Sequence, residues 1–314
     1  MAAKQAAGIF AVTESGKVDK LVAKPVAKPV LAAKYTSLTP ITVNGQMFLL
    51  GYAAAQDHFD VYQFTPKAPW LKPVPAKAVI GAGQDIINAF SLGNVPYVCA
   101  YTKDKGIFDI YSVANDLSFS APYKFYRNHE LAISHNFSTV KPFVQAGEVA
   151  FLGYRIDTGY VALYSVNVAV AGPAPGEPPL QMLPIWSHPW APGWTRFAFF
   201  YLGGEPFFFK TNIKVLNVNI DHVLDTLPNG TSEVGTNLQK QLADATKLTN
   251  VEPFTMAHGE PYFVTYIAKT GAATLNRFHA DCMGWTTVAK FKAPVNAAVV
   301  TPVTVNNNVF LVFA

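Results

Sequence analysis

The chain has 314 residues, half of them hydrophobic, 14% charged and 13% aromatic, with a formal charge of +4. That balance excludes a disordered chain, which needs low hydrophobicity and high charge. The lysines at 4, 17, 20, 24, 28 and 34, set against Glu14 and Asp19, account for the excess, and the remainder is formally neutral with four arginines. This is not the dense Lys/Arg footprint of a nucleic-acid binder, so no nucleic-acid partner is expected.

The chain opens on GIFAVTES (8–15) followed by Val18–Val26, which read as two strands. A unit then recurs: a turn containing glycine between two aromatic-rich runs. It appears as ITVNGQMFLLGY (41–52), AFSLGNVPYVCAY (89–101), PFVQAGEVAFLGY (142–154), FFYLGGEPFFFK (199–210) and PFTMAHGEPYFVTY (253–266). The last segment, TPVTVNNNVFLVFA (301–314), aligns without gaps on TPITVNGQMFLLGY (39–52). The turn pairs Asn44-Gly45, Leu92-Gly93, Ala146-Gly147, Gly203-Gly204, His258-Gly259 and Asn306-Asn307 suit two-residue hairpins with positive φ. Gly45, Gly93, Gly147, Gly204, Gly259 and Asn307 are 48, 54, 57, 55 and 48 residues apart. Such spacing fits four-stranded propeller blades.

Within the first unit the strands read as A (41–43), B (47–53), C (59–64) and D (70–74). The third strand returns as GIFDIYSV (106–113), GYVALYSV (159–166) and KVLNVNI (214–220). The final repeat holds only A and B, whereas the start of the chain, where GIFAVTES resembles GIFDIYSV, holds only C and D. Joined, they make a sixth blade, and the union pairs edges that would otherwise stand open. The expected fold is therefore all-β: one six-bladed β-propeller domain over 1–314 whose sixth blade is shared between 1–30 and 296–314. Two segments interrupt the pattern. One is the Pro/Gly stretch 171–179. The other is 221–251, read as an excursion with a short helix, since Leu238, Leu242 and Leu248 have helical spacing.

The pattern resembles six-bladed β-propellers over essentially the whole chain. It lacks the Trp-Asp pairs of WD40 repeats, the repeated Gly-Gly of kelch repeats and the aspartate boxes of sialidases. Fungal and bacterial propeller lectins are similar in size, blade number and aromatic content, a likeness of form that implies recognition of carbohydrate.

Loops on a rigid scaffold carry binding residues. In a propeller those are the D–A and B–C connections of one rim. Two D–A connections stand out. One holds Arg127, His129, Glu130 and His135; the other holds His188, Trp190, Trp194 and Arg196. They flank the third blade, whose B–C turn holds Arg155 and Asp157. Tryptophan faces stack on sugars or cations, and arginine and carboxylate groups hydrogen-bond hydroxyls. These ten residues are the expected ligand site; the same tryptophans could instead cap the gap between blades. His129, His135 and His188 match no metal-ligand spacing, and neither metal nor cofactor is expected. Cys99 and Cys282 stand 183 positions apart in no metal or redox motif. With no apolar leader and no run long enough to span a membrane, a soluble, cytoplasmic protein is expected, secretion remaining open.

The sequence thus points to a ligand-binding propeller, lectin-like in recognising carbohydrate or another small molecule. The alternative is an enzyme acting on a small, largely apolar molecule in one pocket, with no catalytic residues assigned. A protein-interaction platform is the third reading.

Overall fold

The computed structural model describes residues 5–14, 21–75, 78–120, 123–125, 136–168, 180–224, 233–242 and 244–314. Six four-stranded antiparallel sheets stand in a ring, and the protein is a six-bladed β-propeller. In the first blade, A is Ser37–Val43, B Gln46–Tyr52, C Asp60–Phe64 and D Leu71–Val74. The A strands of the next four blades are Ile86–Leu92, Thr139–Gln145, Trp194–Leu202 and Asn250–Thr255. In the remaining sheet Val300–Val305, Asn308–Phe313, Gly8–Glu14 and Leu21–Ala27 lie in that order, with Phe10 opposite Leu311 and Ile9 opposite Val312.

The hairpin chemistry follows from the turn residues. Asn44-Gly45, Ala146-Gly147, Gly203-Gly204 and Asn306-Asn307 take positive φ at both positions, as a type I′ turn needs. In the second blade the tight pair is Gly93-Asn94, one residue later than the sequence suggests. The fifth-blade turn is wider: Gly259 N–H bonds Met256 O, and Met256 N–H bonds Glu260 O.

Strand B is buried on both faces, which is why it reads as an unbroken apolar run. Its side chains alternate between two neighbours. Phe10, Leu311 and Phe313 pack against Tyr262, Val264 and Tyr266 of the fifth blade. Ile9, Phe310 and Val312 pack against Leu38, Leu49 and Tyr62 of the first. The apolar interior is thus divided into clusters between consecutive blades. Strand D is the outermost of its sheet, and no residue of Trp285–Lys292 is fully buried.

One device recurs at the end of strand B. The Tyr154 hydroxyl donates to Ala191 O (2.9 Å) and accepts from Trp194 N–H (3.1 Å), fixing the connection into the next blade. Tyr266 does the same with Pro294 O and Ala297 N–H. Tyr52 bonds Gly81 O and Gln84 N–H, and Tyr101 accepts from Phe137 N–H. The glycine before two of these tyrosines makes room for a ring: a Cβ on Gly51 would stand 2.7 Å from the Tyr35 ring, and one on Gly153 2.6 Å from Phe137.

The segment with helical leucine spacing folds otherwise. Glu233–Gln241 is strand D of the fourth blade, paired with Asn217–Leu224, and only Ala245–Lys247 forms a single 3-10 turn. Leu238 and Leu242 pack against the cluster between the fourth and fifth blades, so the available sheet edge outweighs the local periodicity. The 171–179 stretch lies outside the described residues.

Tyr154→Phe leaves a buried N–H and a carbonyl without their partner. We expect a loss of about 1–3 kcal/mol in urea unfolding and faster hydrogen exchange of the Trp194 amide.

Candidate functional site

Of the rim residues expected from sequence, Arg127, His129, Glu130 and His135 lie outside the described residues. The described end of their segment, Asn136, donates its N–H to Lys103 O in the B–C turn of the second blade (3.2 Å). In the third blade Arg155 Nη2 reaches Asp157 Oδ2 at 3.3 Å on the surface. Burial works to raise the Asp157 carboxyl, but the bonds from Arg155 and the Thr158 backbone hold it below its ordinary value. His188 is exposed and stacks on Trp186 (5.8 Å).

Trp190 and Trp194 turn inward. Trp194 is 5% exposed. Lys210, from strand B of the fourth blade, places Nζ 3.5 Å from the Trp190 ring centre and 4.7 Å from that of Trp194. Its ammonium is ion-paired with Asp221 on strand C, and both residues are buried. Burial depresses the Lys210 pKa and raises that of Asp221, each opposed by the attraction of the other. The tryptophans thus cage a cation of the protein itself. Arg196 sits in a bulge of the fourth-blade A strand at φ 55, and its Nε donates to Leu248 O of the fifth blade (3.0 Å).

The structure also shows a feature that the motif search misses. The A strands enclose a central cavity of about 480 Å3, within the range of small-ligand sites. Ladder register makes Thr39, Asn88, Lys141, Ala198, Glu252 and Thr301 equivalent, each opposite the corresponding residue of its strand B. They form a ring around the cavity. Pro40, Pro142, Pro253 and Pro302 follow four of them. Proline has no N–H and suits an inner edge strand that pairs on one side only.

Two members of the ring tie blades together: Asn88 Nδ2 donates to Val140 O (2.8 Å) and Thr301 Oγ1 to Leu38 O (2.7 Å). Glu252, when ionised, can only accept. It stands across the small Ala198 from Lys141, and the two charges sense each other without closing an ion pair. Desolvation raises the Glu252 carboxyl above its ordinary value, opposed by Lys141, a hydrogen bond from Asn250, and Arg196. The charged half of the ring faces a neutral half built by Thr39 and Thr301. No sequence motif marks these positions. The available signal was the recurring dipeptide Thr-Pro, Lys-Pro, Glu-Pro, Thr-Pro at 39, 141, 252 and 301.

Among the described residues no helix is long and apolar enough to cross a membrane, and no group of three or more His, Cys, Asp or Glu is placed to hold a metal ion.

No protein-family model and no curated protein matches the chain. Solved structures do. A protein from Lactobacillus plantarum is similar with a TM-score of 0.51 and 11% identity, over 93% of this chain and 98% of that one. A putative 6-phosphogluconolactonase from Bacteroides uniformis is similar with a TM-score of 0.53 and 10% identity, over 96% and 87%. Xyloglucan PUL GH43B from Bacteroides ovatus gives 0.50 and 11%, over 82% and 56%. At these identities the likeness establishes the propeller fold alone.

Asp221→Ala strands the Lys210 ammonium in the interior. A destabilisation of about 3–5 kcal/mol is expected in urea unfolding. The double variant Lys210→Met with Asp221→Leu should recover most of it, because it removes both charges and restores apolar packing.

Proposed function

We propose that the propeller binds a small polar ligand, with carbohydrate as the best-fitting class, in the central cavity. The carrying observation is the open pair: Lys141 and Glu252 line one cavity with opposite charge and do not neutralise each other directly. An ammonium that donates and a carboxylate that accepts, separated by the side chain of an alanine, complement a molecule with several hydroxyls. Thr39 and Thr301 add hydroxyl-bearing wall on the opposite side. The rim residues Arg155, Asp157 and Arg196 form the mouth in this reading. His188, Trp190 and Trp194 support it from the blade behind. Two proteins that share the fold have names from sugar chemistry, which makes sugars and sugar acids the first probes. The role is recognition, lectin-like in use, at one site and not six, since Lys141 and Glu252 each occur in one sector of the ring.

A second reading is favoured by one observation. The raised Glu252 carboxyl beside a cation is the form a proton carrier takes in an enzyme site. Here Glu252 would exchange a proton with a bound small molecule, and Lys141 would hold the charge that develops.

Isothermal titration with a panel of neutral sugars and sugar acids tests the binding reading. At least one member should bind, and Lys141→Met and Glu252→Gln should each weaken it tenfold or more. A panel without a binder, or variants that bind as the parent does, would overturn it. Conversion of any panel member by the parent but not by Glu252→Gln would select the enzyme reading.

The same carboxyl gives a stability prediction. A carboxyl whose folded pKa is raised binds more protons folded than unfolded, so its contribution falls as pH climbs above the unfolded value. Glu252→Gln should therefore melt at the same temperature as the parent at pH 4 and higher than the parent above pH 7.

A further inference from the structure

We propose that a second pocket, on the first blade and apart from the channel, binds the cationic end of a small aliphatic amine on the Asp60 carboxylate. The pocket measures about 460 Å3; on the face of the sheet that carries Asp60 it is walled by Val30, Leu31, Tyr62 and Pro73, with Asp60, His58 and Tyr62 as its ionisable groups. It lies where strands C and D of the first blade meet the chain arriving from Leu21–Ala27.

Asp60 is the end of a directed hydrogen-bond chain. The Tyr62 hydroxyl accepts from Ala32 N–H (3.0 Å) and lies 2.7 Å from the Tyr35 hydroxyl. The Tyr35 hydroxyl lies 2.6 Å from Asp60 Oδ2, which accepts its proton. Because Tyr35 donates to Asp60, its oxygen is free to accept, and Tyr62 donates to it. The order is therefore Ala32 to Tyr62 to Tyr35 to Asp60. Every proton in the chain points toward the carboxylate. Burial, with the bonds to Asp60 and Tyr62, raises the Tyr35 pKa far beyond its ordinary value, so the phenol remains a donor.

Among the described residues that negative charge has no cation. Asp60 is half-buried and makes no ion pair with any of them, and the neighbouring His58 turns Nδ1 to Asp57 Oδ1 (2.9 Å). A half-buried carboxylate that is hydrogen-bonded on one side and faces aliphatic walls fits an ammonium carrying a short alkyl chain. The ammonium supplies the missing charge and the alkyl chain covers Val30 and Pro73. A neutral alcohol would bring the alkyl chain without the charge, and a carboxylate would be repelled.

The experiment is a 1H–15N NMR titration of the full chain with n-butylammonium, and with n-butanol and butyrate in parallel. Butylammonium should shift the amides of Ala32, Val61 and Val74 saturably and leave those of Lys141 and Glu252 in place. Asp60→Asn keeps an oxygen for Tyr35 and removes the charge; it should weaken binding at least tenfold. Pro73→Trp, at the strand-D residue opposite Tyr62, leaves the charge and fills the pocket, and should abolish the shifts. The proposal fails if butylammonium causes no shift, if butanol binds equally well, or if Asp60→Asn binds like the parent. A folded Pro73→Trp that still binds would equally overturn it. Loss of sugar binding in the channel would leave this result untouched, since the two sites share no residue.

Discussion

A four-stranded blade is too thin to possess an interior, and everything else in this molecule follows from that. Side chains of strands B and C leave the sheet alternately on both faces, and each face is covered only by the next blade. Leu311 needs the fifth blade and Val312 the first, although the two residues are adjacent. Burial of this kind can be completed only if the row of sheets returns on itself. The pairing of Gly8–Glu14 with Asn308–Phe313 ties the two ends of the chain into one sheet, so that both of its faces meet neighbours. The hydrophobic effect, without direction of its own, is given geometry by the period-two alternation of the strand.

Closing the ring creates a second problem at the centre, where A strands present edges to one another. The chain meets it with residues that disarm an edge. Prolines 40, 142, 253 and 302 remove donors at equivalent places, and Asn88 and Thr301 bond across to the next strand with their side chains. Three ring positions depart from this: Lys141 and Glu252 put charge where Asn88 and Thr301 tie blades, and Ala198 between them puts nothing there. A departure from a structural rule at a cavity wall is what a binding site looks like when the scaffold is otherwise repetitive.

The fold was legible because its signals are local and repeated. Tight turns draw on Gly and Asn, two-sided burial needs runs such as Val149–Tyr154, and repetition along the chain makes both visible. Leu238, Leu242 and Leu248 are four and six residues apart, a spacing that says nothing about a waiting edge; Asn217–Leu224 supplied that edge. The channel ring was not legible as a ring, since equivalence of Lys141 and Glu252 is a matter of ladder register in two blades. Trp190 and Trp194 looked like walls for a ligand, and the residue they enclose is Lys210, sixteen positions beyond Trp194 and in the next strand.

Two lysine–carboxylate pairs, Lys210 with Asp221 and Lys141 with Glu252, differ in what they can do on physical grounds. Lys210 and Asp221 are both buried, in contact, and roofed by aromatic rings, so each charge is directed at the other and away from any cavity. Their attraction offsets part of the cost of removing them from water. Lys141 and Glu252 have the same chemistry at a separation that prevents contact, beside open volume. Glu252 bears desolvation that no partner repays in full, as its raised carboxyl shows. A fold gains nothing in stability from that expense. It is explained if a third body enters between the two charges and completes for each what the other is too far away to supply.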